Sequence, residues 1–344
     1  MRSCTLLLAL LSIVEALHVY SSPVTVHLQK ETHWFQSSEA RRIIENVLAW
    51  QTTEGSWPKN VDTTAPSKSP MGKGTFDNGA TVDELRFLAR AFVATNDERC
   101  KGAFFKGFDL ILKAQYPSGG WPQSYPHASG YQRHITFNDG TMVRLMNFLR
   151  EVSSSNSFKF VDGERREAAA KAFDRGIECI LNAQNQVKGV RTAWCAQHDE
   201  VTLAPRPARA YELISLSGAE SVAILDLLMS LPEPSPELIS AVDSAVAWFD
   251  KVKVHGVRQV TVGGDKRLIE DPTSPPLWAR FYEIETNRPF FCGRDGVKKY
   301  SLAEIESERR NGYAWYGSWA KDLGEKHLRW KERLQLLKSG VRRQ

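Results

Sequence analysis

Apolar residues along this chain recur mostly at intervals of three and four positions, the spacing of an α-helix that buries one face. In residues 40–50, for example, Ile43, Ile44 and Val47 fall on the same side. The two-residue alternation of a β-strand is scarce, and 257–262 is a short candidate. The pattern therefore predicts a mainly α protein. The clearest helical patterns cover residues 40–50, 80–95, 140–152, 165–184, 215–231 and 238–252.

Two of these helices are preceded by the signature of a capping box. In this motif a hydroxyl side chain and a carboxylate three residues later satisfy each other's backbone N–H groups. The signatures are Thr81-x-x-Glu84 and Ser217-x-x-Glu220, and each predicts a helix start.

A loop motif between helices occurs twice in almost the same letters. Its positions are Gln51, Gly55, Trp57 and Pro58 in the first copy, and Gln115, Gly119, Trp121 and Pro122 in the second. A looser third copy contains Gln184 and Trp194, and the glutamines are 64 and 69 residues apart. Each copy predicts an outer helix, a rim loop and an inner helix. Repeated helix hairpins that bury one face against each other predict an (α/α)₃ barrel or toroid with irregular rim loops.

Two acidic residues precede inner helices in the repeat. Asp77 lies in TFDNGAT and Asp139 in TFNDGTM. We expect the two aspartates to occupy the same place in their sequence repeats, on one rim. A helix N-terminus favours ionised carboxylates, and Ca²⁺ prefers oxygen ligands. The residues predict a calcium site at Asp77 and Asp139, with Asn78 and Asn138 as further oxygens. The alternative is that both aspartates are N-cap residues.

Arginines are concentrated in residues 205–212 and 278–296, among aromatic residues, Pro and Gly. Arginine forms bidentate pairs with carboxylates. A groove with calcium on one side and arginines on the other would suit a repeating anionic ligand. Any single arginine can also be an ordinary surface ion pair.

Composition limits the functional class. The chain has 344 residues, 42% of them hydrophobic, and ten Trp, as expected for a folded soluble protein. The net charge of +5 comes without a dense basic tract, so nucleic acid is not an expected partner. No stretch approaches the roughly 18 apolar residues of a membrane span.

The N-terminus predicts secretion. Arg2 precedes an apolar run, and Val14-Glu15-Ala16 places small residues at a cleavage site, so residues 1–16 are predicted to be a secretory signal peptide. The alternative is a buried N-terminal helix. Residues 17–344 would then form a single secreted domain. Four cysteines remain after cleavage and permit two disulfides in three connectivities: Cys100, Cys179, Cys195 and Cys292.

Several long motifs resemble the pectate lyases of polysaccharide lyase family 10. They are GSWPKN, TFDNGAT, GGWPQSYP, RHITFNDGTM, WCAQHDEVTLAPRPARAYE, SLSGAES and WARFYEIETNRPFFCGRDG, and the resemblance runs from Ala40 to Gly317. It implies an (α/α)₃ toroid enzyme, a carbon–oxygen lyase that degrades pectin. Such an enzyme cleaves polygalacturonate by Ca²⁺-dependent β-elimination and leaves 4,5-unsaturated oligogalacturonides.

The resemblance also implies roles for individual residues. Asp77 and Asp139 would be Ca²⁺ ligands, and Arg209 in ARAYE would be the base. Arg280, Arg294 and Lys59 would bind substrate carboxylates, and Arg206 lies outside the matching core. Because free arginine has a pKa above about 12, we expect neighbouring charges and desolvation to lower the pKa of Arg209. An alkaline pH optimum would follow.

The chain departs from the family at two positions. Gly140 stands where a second acidic residue is common, and His198 stands where Tyr is common. His198 is expected to be a structural hydrogen-bonding residue. We expect a monomer with polygalacturonate as its partner.

Three other functions are compatible with parts of this pattern. Gly140 leaves open a catalytically impaired pectin-binding protein. A terpene-cyclase-like toroid would need an Asp-rich motif, and neither DxDD nor DDxxD occurs in the sequence. A glycoside hydrolase would need a paired acid and base.

Overall fold

The computed structural model describes residues 22–67 and 72–339. The predicted signal peptide, residues 1–16, lies outside the described residues. The chain divides into two compact units, one ending at Cys179 and the other beginning at Ile180. Among the described residues, none of the helices combines the length and apolar character that a bilayer span requires.

Helices dominate the part of the chain that the structure describes, as the periodicity predicts. The helices are α1 (Ser38–Ala49), α2 (Val82–Thr95), α3 (Glu98–Ala114), α4 (Thr141–Ser154), α5 (Gly163–Ala183), α6 (Glu220–Met229), α7 (Pro236–Lys251), α8 (Ser307–Gly312) and α9 (Leu323–Lys338). Helix α1 shows why: Ile43, Ile44 and Val47 are buried on one face, and the hydroxyl of Ser37 accepts a hydrogen bond from the N–H of Ala40 at the helix start.

Strands are short and lie mostly in the loops between helices. They are β1 (Trp57–Pro58), β2 (Gly74–Thr75), β3 (Ile135–Thr136), β4 (Gln186–Val187), β5 (Val190–Arg191), β6 (Gln197–His198), β7 (Pro205–Arg206), β8 (Leu216–Ser217), β9 (Val257–Val262), β10 (Asp265–Glu270), β11 (Trp278–Ala279), β12 (Phe281–Tyr282), β13 (Phe291–Cys292), β14 (Lys298–Lys299) and β15 (Tyr316–Gly317). The predicted strand at 257–262 is β9, which pairs antiparallel with β10 across Gly263 and Gly264. In the first repeat, β1 pairs antiparallel with β2, with Trp57 opposite Thr75.

The glutamines of the loop motif hold each loop to two backbone carbonyls. The side-chain amide of Gln51 donates to Gly55 O (2.9 Å) and to Ala103 O in α3 (2.8 Å). Gln115 makes the equivalent bonds to Gly119 O and Ala172 O in α5, each 2.8 Å. The looser third copy does the same, because Gln184 donates to Thr192 O and to Ala241 O in α7. The three loops are therefore equivalent, as the repeat predicts.

The tryptophans of the motif tie each loop to the helix before it. The indole N–H of Trp57 donates to Val47 O (2.7 Å), that of Trp121 to Ile111 O (2.9 Å), and that of Trp194 to Ile180 O (2.7 Å). Sequence reasoning missed a fourth example. Trp278 donates to Phe249 O (2.9 Å) after α7, but no glutamine of the motif marks it.

The glycine of the motif is required by its backbone. Gly55 has φ +112° and Gly119 has φ +91°, a region that favours glycine. A Cβ atom at Gly55 would lie 2.8 Å from Lys106 O, and one at Gly119 would lie 2.2 Å from Arg175 O. The loop approaches the next helix too closely for any side chain at this position, which explains the glycine.

The two predicted capping boxes differ. At the start of α2, the carboxylate of Glu84 accepts the N–H of Thr81 at 2.8 Å, so this box is confirmed. The second box is only half formed. The hydroxyl of Ser217 accepts the N–H of Glu220 at 3.1 Å, and α6 begins at Glu220. The reciprocal bond is missing, because the N–H of Ser217 donates to Trp194 O and not to the Glu220 carboxylate.

Each unit has its own aromatic core. In the first unit, Phe104 packs within about 6 Å of the rings of Phe108, Phe148 and Phe158. In the second unit, Tyr211, Phe281 and Trp315 belong to a buried cluster. This second cluster carries the residues discussed below.

Candidate active site

Asp77 is a buried carboxylate in the first unit, only 1% exposed. It begins the 3₁₀ turn Asp77–Gly79 that follows β2. Its Oδ2 atom accepts hydrogen bonds from the ammonium group of Lys59 and from the side-chain amide of Gln123 (2.6 Å). Its Oδ1 atom accepts the N–H of Asn78 (3.0 Å). Lys59, which the family resemblance assigns to substrate, therefore lies against a predicted metal ligand.

A second 3₁₀ turn, Asn138–Gly140, follows β3. Asn78 and Asp139 have the same left-handed backbone, with φ +55° and +51°. The two turns thus read Asp-Asn-Gly and Asn-Asp-Gly, so Asp139 corresponds to Asn78 and not to Asp77. The expectation that the two aspartates occupy the same place in their repeats is wrong by one residue.

The two turns are neighbours in the first unit. The hydroxyl of Thr141 donates to Asn138 O (2.9 Å) and lies 3.4 Å from Oδ1 of Asp77. The carboxylate of Asp139 accepts from the side-chain amide of Asn138 (2.6 Å). We refer to the turns 77–79 and 138–140 together as the acidic turns.

Neither aspartate is a helix N-cap. Helix α2 begins at Val82 with Thr81 as its N-cap, and α4 begins at Thr141 with Gly140 as its N-cap. The N-cap alternative is therefore wrong, and the carboxylates are not used to start a helix.

A buried arginine lies close to the acidic turns. Arg144 in α4 is 9% exposed. Burial lowers the pKa of this guanidinium, and the charges of Asp83, Asp139 and Asp77 act in the opposite direction. The carboxylates of the acidic turns therefore have a positive charge near them as well.

The acidic turns fit a divalent cation that prefers oxygen ligands, although incompletely. The Oδ1 atom of Asn78 is buried and has no hydrogen-bond partner among the described residues, so one amide oxygen of the turn 77–79 is available. No group of three or more His, Cys, Asp or Glu side chains in the described residues could hold a metal ion. Ca²⁺ takes about six to eight oxygens. Asp77, Asp139 and Asn78 would supply about three to five of them, depending on whether each carboxylate binds through one oxygen or two.

Several arginines in the second unit surround two tyrosine rings. Arg209, Arg294 and Arg309 lie with their guanidinium carbons 5.0, 5.8 and 4.7 Å from the centre of the Tyr211 ring. Arg280 lies 4.8 Å from the ring of Tyr313, and the two tyrosine rings are 5.5 Å apart, edge to face. We call these four arginines and two tyrosines the arginine cluster. The structure thus brings together Arg209, Arg280 and Arg294, as the sequence predicts.

Arg209 is held by a carboxylate three residues away. Its Nε and Nη2 atoms donate to Glu212 at 2.7 and 2.6 Å, and the hydroxyl of Tyr313 donates to the same carboxylate at 2.7 Å. The hydrogen bonds to Glu212 raise the pKa of Arg209 above its usual value. Burial would raise the pKa of Glu212, but Arg209 holds it below its usual range. The expectation of a lowered Arg209 pKa is therefore wrong for the free protein, because Glu212 stabilises the cation.

The other arginines of the cluster are also paired. Arg280 is buried and donates to Glu220. Arg294 and Arg309 both donate to Glu308, so one carboxylate joins two guanidinium groups. Sequence reasoning missed Arg309. The only available signal was its place in ERRNGYAW, just before aromatic residues.

Two other residues singled out by the sequence, Arg206 and His198, lie outside the acidic turns and the arginine cluster. Arg206 pairs with Asp199 through two bonds to one oxygen (3.0 and 2.7 Å). In His198, Nε2 accepts from the N–H of Cys195 (3.1 Å), so Nδ1 donates to Leu203 O (2.8 Å). Burial lowers the pKa of His198 to about 4, so the ring is neutral and structural, as expected.

The cysteines do not form the permitted disulfides. Cys100, Cys179, Cys195 and Cys292 are buried free thiols in the described structure. Burial raises the pKa of Cys100 and of Cys179 to about 12, which makes both thiols unreactive.

The acidic turns, the arginine cluster and the repeated loops lie within a segment that matches the pectic acid lyase family model over residues 51–323. The chain belongs to the pectic acid lyase family. A solved structure of family 10 polysaccharide lyase from Cellvibrio cellulosa aligns at 33% identity over 91% of this chain and 96% of that chain, with a TM-score of 0.76. A mutant of that lyase in complex with trigalacturonic acid aligns at 33% identity over 88% and 96%, with a TM-score of 0.75. No curated protein sequence matches the chain.

Membership of the pectic acid lyase family confirms three predictions. The chain is a polysaccharide lyase of family 10, its fold class is the mainly α toroid of repeated helix hairpins, and it is an enzyme of the pectate lyase type. The terpene-cyclase-like and glycoside-hydrolase alternatives are thereby excluded.

Proposed function

We propose that this chain is a secreted, Ca²⁺-dependent pectate lyase that cleaves polygalacturonate by β-elimination. The observation that carries the proposal is the pair of acidic turns, each with one aspartate, and the amide oxygen of Asn78 in the first turn, which has no partner among the described residues, in a family 10 lyase. The complex of a similar lyase with trigalacturonic acid supports the substrate class.

The reaction removes a proton and a leaving oxygen from neighbouring carbons of one sugar ring. The C5–H bond breaks, the C4–O4 bond breaks, and a C4=C5 double bond forms, while the proton passes to the base and then to the departing oxygen. No water is consumed. Asp77, Asp139 and Asn78 would hold Ca²⁺, which when bound withdraws electron density from a substrate carboxylate and acidifies the C5 proton. Arg280 and Arg294 would bind substrate carboxylates through their guanidinium groups.

Arg209 is proposed as the base, and its pairing with Glu212 defines what this role requires. A guanidine accepts a proton only in its neutral form, whereas Glu212 favours the charged form. The titratable groups that face Arg209 are Glu212, Tyr211 and Tyr313. Activity should therefore rise with pH, in line with the expected alkaline optimum.

Glu212→Gln is expected to move the rising limb of the pH–rate profile to lower pH. Gln keeps an oxygen for Tyr313 but removes the carboxylate that holds Arg209 in its protonated form, so the pKa of Arg209 falls. The measurement is kcat/KM from neutral to strongly alkaline pH. Asp199→Asn is the control. It removes the carboxylate that pairs with Arg206 and leaves the Arg209–Glu212 pair in place, so its pH–rate profile should not move. An unmoved profile in Glu212→Gln would contradict the base role of Arg209.

Gly140 gives the second candidate function, a pectin-binding protein of impaired activity. Gly140 has φ +72°, and a Cβ atom there would meet only Arg144 Nε, at 3.8 Å. A side chain would therefore fit at the end of the second acidic turn, and among residues other than glycine Asp and Asn tolerate this backbone best.

Gly140→Asp is expected to bind Ca²⁺ more tightly than the natural protein, because it adds a carboxylate to an incomplete oxygen set. Gly140→Asn is the matched control, since it has the same shape and backbone tolerance without the charge. Calorimetric titration with Ca²⁺ compares the three proteins. Equal affinity of the Asp and Asn variants would show that this position does not reach the cation.

The first experiment follows the ultraviolet absorbance of unsaturated uronides during incubation with polygalacturonate at alkaline pH. We expect absorbance to rise with Ca²⁺ and to stop with EDTA. Reducing ends without absorbance would mean hydrolysis and would overturn the mechanism. Polymer binding without either signal would favour the impaired binding protein.

Secretion and the single catalytic domain are proposed from the sequence. Cleavage after Ala16 would leave residues 17–344 as a monomeric extracellular enzyme. The mass of the protein recovered from culture medium tests this, because it would lack residues 1–16.

A further inference from the structure

The carboxylate of Asp77 already has a cationic partner and further hydrogen-bond donors within the first unit. Its Oδ2 atom accepts two donors, the ammonium group of Lys59 and the amide of Gln123. An ionised carboxylate offers about four lone-pair sites, two on each oxygen, so Oδ2 has none left. Oδ1 accepts the N–H of Asn78 and has the Thr141 hydroxyl 3.4 Å away. A cation that used both oxygens of Asp77 would have to displace a donor.

A cation that used only Oδ1 would still meet the charge of Lys59. Two positive charges a few ångströms apart repel each other, and a divalent ion doubles the repulsion that a monovalent ion would meet. Lys59 therefore opposes a cation at Asp77 in either geometry.

Among the side chains at Asp77, Lys59 is the one that can leave. Its side chain is 38% exposed, whereas Gln123 and Thr141 are buried. It lies directly after β1, at the end of the Trp57-containing loop. Its flexible stem and strongly hydrated ammonium group allow it to move into solvent without leaving a buried group unpaired.

We propose that Lys59 is an internal competitor for the cation at Asp77. Its ammonium group occupies the carboxylate when no divalent cation is bound, and it leaves when one binds. This rests on the calcium site of the proposed function. It also links the two roles of the residue, because a released Lys59 becomes available to a substrate carboxylate. A residue that only binds substrate would not affect Ca²⁺ affinity in the absence of substrate.

The test is calorimetric titration of the full chain with Ca²⁺ alone. We expect Lys59→Met, which keeps the length of the side chain and removes its charge, to bind Ca²⁺ about tenfold more tightly or better. Lys101→Met is the control, because it removes a charge that pairs with Glu98 on α3 in the same unit. Its affinity should equal that of the natural protein.

A second readout is the shift in Tm on addition of Ca²⁺, which should be larger for Lys59→Met than for the natural protein. Equal or weaker Ca²⁺ binding by Lys59→Met overturns the proposal, and so does a lack of binding by both proteins. Neither measurement uses polygalacturonate, so failure of the lyase mechanism and failure of this inference are separable.

Discussion

Arg209→Ala is expected to lose β-elimination by roughly 10²–10⁴-fold while binding to polygalacturonate persists. This is the range that a positioned acid or base contributes to a reaction. The loss should appear in kcat, because Arg280 and Arg294 remain to bind substrate carboxylates. The measurement is the initial rate of ultraviolet absorbance at saturating polygalacturonate, with polymer binding measured separately. Near-normal turnover would remove Arg209 from the base role.

The controls for this variant follow from its ion pair. Removing Arg209 leaves the carboxylate of Glu212 without its bidentate partner, and an unpaired buried charge costs up to about 3–5 kcal/mol. The cost is smaller here because Arg209 is itself 43% exposed. The double variant Arg209→Ala with Glu212→Gln removes both charges, and we expect it to fold and remain inactive. Arg206→Ala, which breaks the pair with Asp199, should retain activity.

Asp77→Ala is expected to lower Ca²⁺ affinity at least 100-fold and to abolish turnover at ordinary Ca²⁺ concentrations. Mutating groups that merely support metal ligands typically costs about 10–100-fold in affinity, and a lost ligand should cost at least as much. Rates measured over a wide Ca²⁺ range would show a displaced or absent activation curve. A curve that coincides with that of the natural protein would show that Asp77 does not hold the cation.

Asp109→Ala is a matched control for this variant. Asp109 lies in α3 of the same unit, where it is half-exposed and accepts two hydrogen bonds from Arg165. Its loss removes one carboxylate and one ion pair far from the acidic turns in sequence. Thermal unfolding of both variants separates a damaged fold from a damaged site.

The repeated loops could be predicted from sequence because their geometry depends on local chemistry. Gly55 and Gly119 adopt a backbone that few other residues tolerate, and Gln and Trp side chains reach carbonyls at fixed distances. The family motifs likewise predicted that Arg209, Arg280 and Arg294 serve the same site. Each of these signals lies within a short stretch of chain.

One error concerned a motif, and the others came from contacts that a short stretch of sequence does not specify. In TFDNG and TFNDG the Asp and Asn exchange places between the shared Thr-Phe and Gly, so the sequence itself separates the two aspartates by one position. The pKa of Arg209 depends on a turn that brings Glu212 back to it. Tyr313 and Arg309 join the same cluster from about 100 residues further along, and no local pattern predicts that approach.

The tryptophan contacts have a consequence for how this scaffold accepts new segments. The sequence separation between the tryptophan and the carbonyl that it binds is 10, 10, 14 and 29 residues in the four examples. The longest interval contains the entire β9–β10 hairpin, yet Trp278 makes the same bond as Trp57. Residues inserted between a helix and the tryptophan that bonds back to it are therefore expected to leave the helices in place. These intervals are the positions at which we expect a grafted peptide to be tolerated.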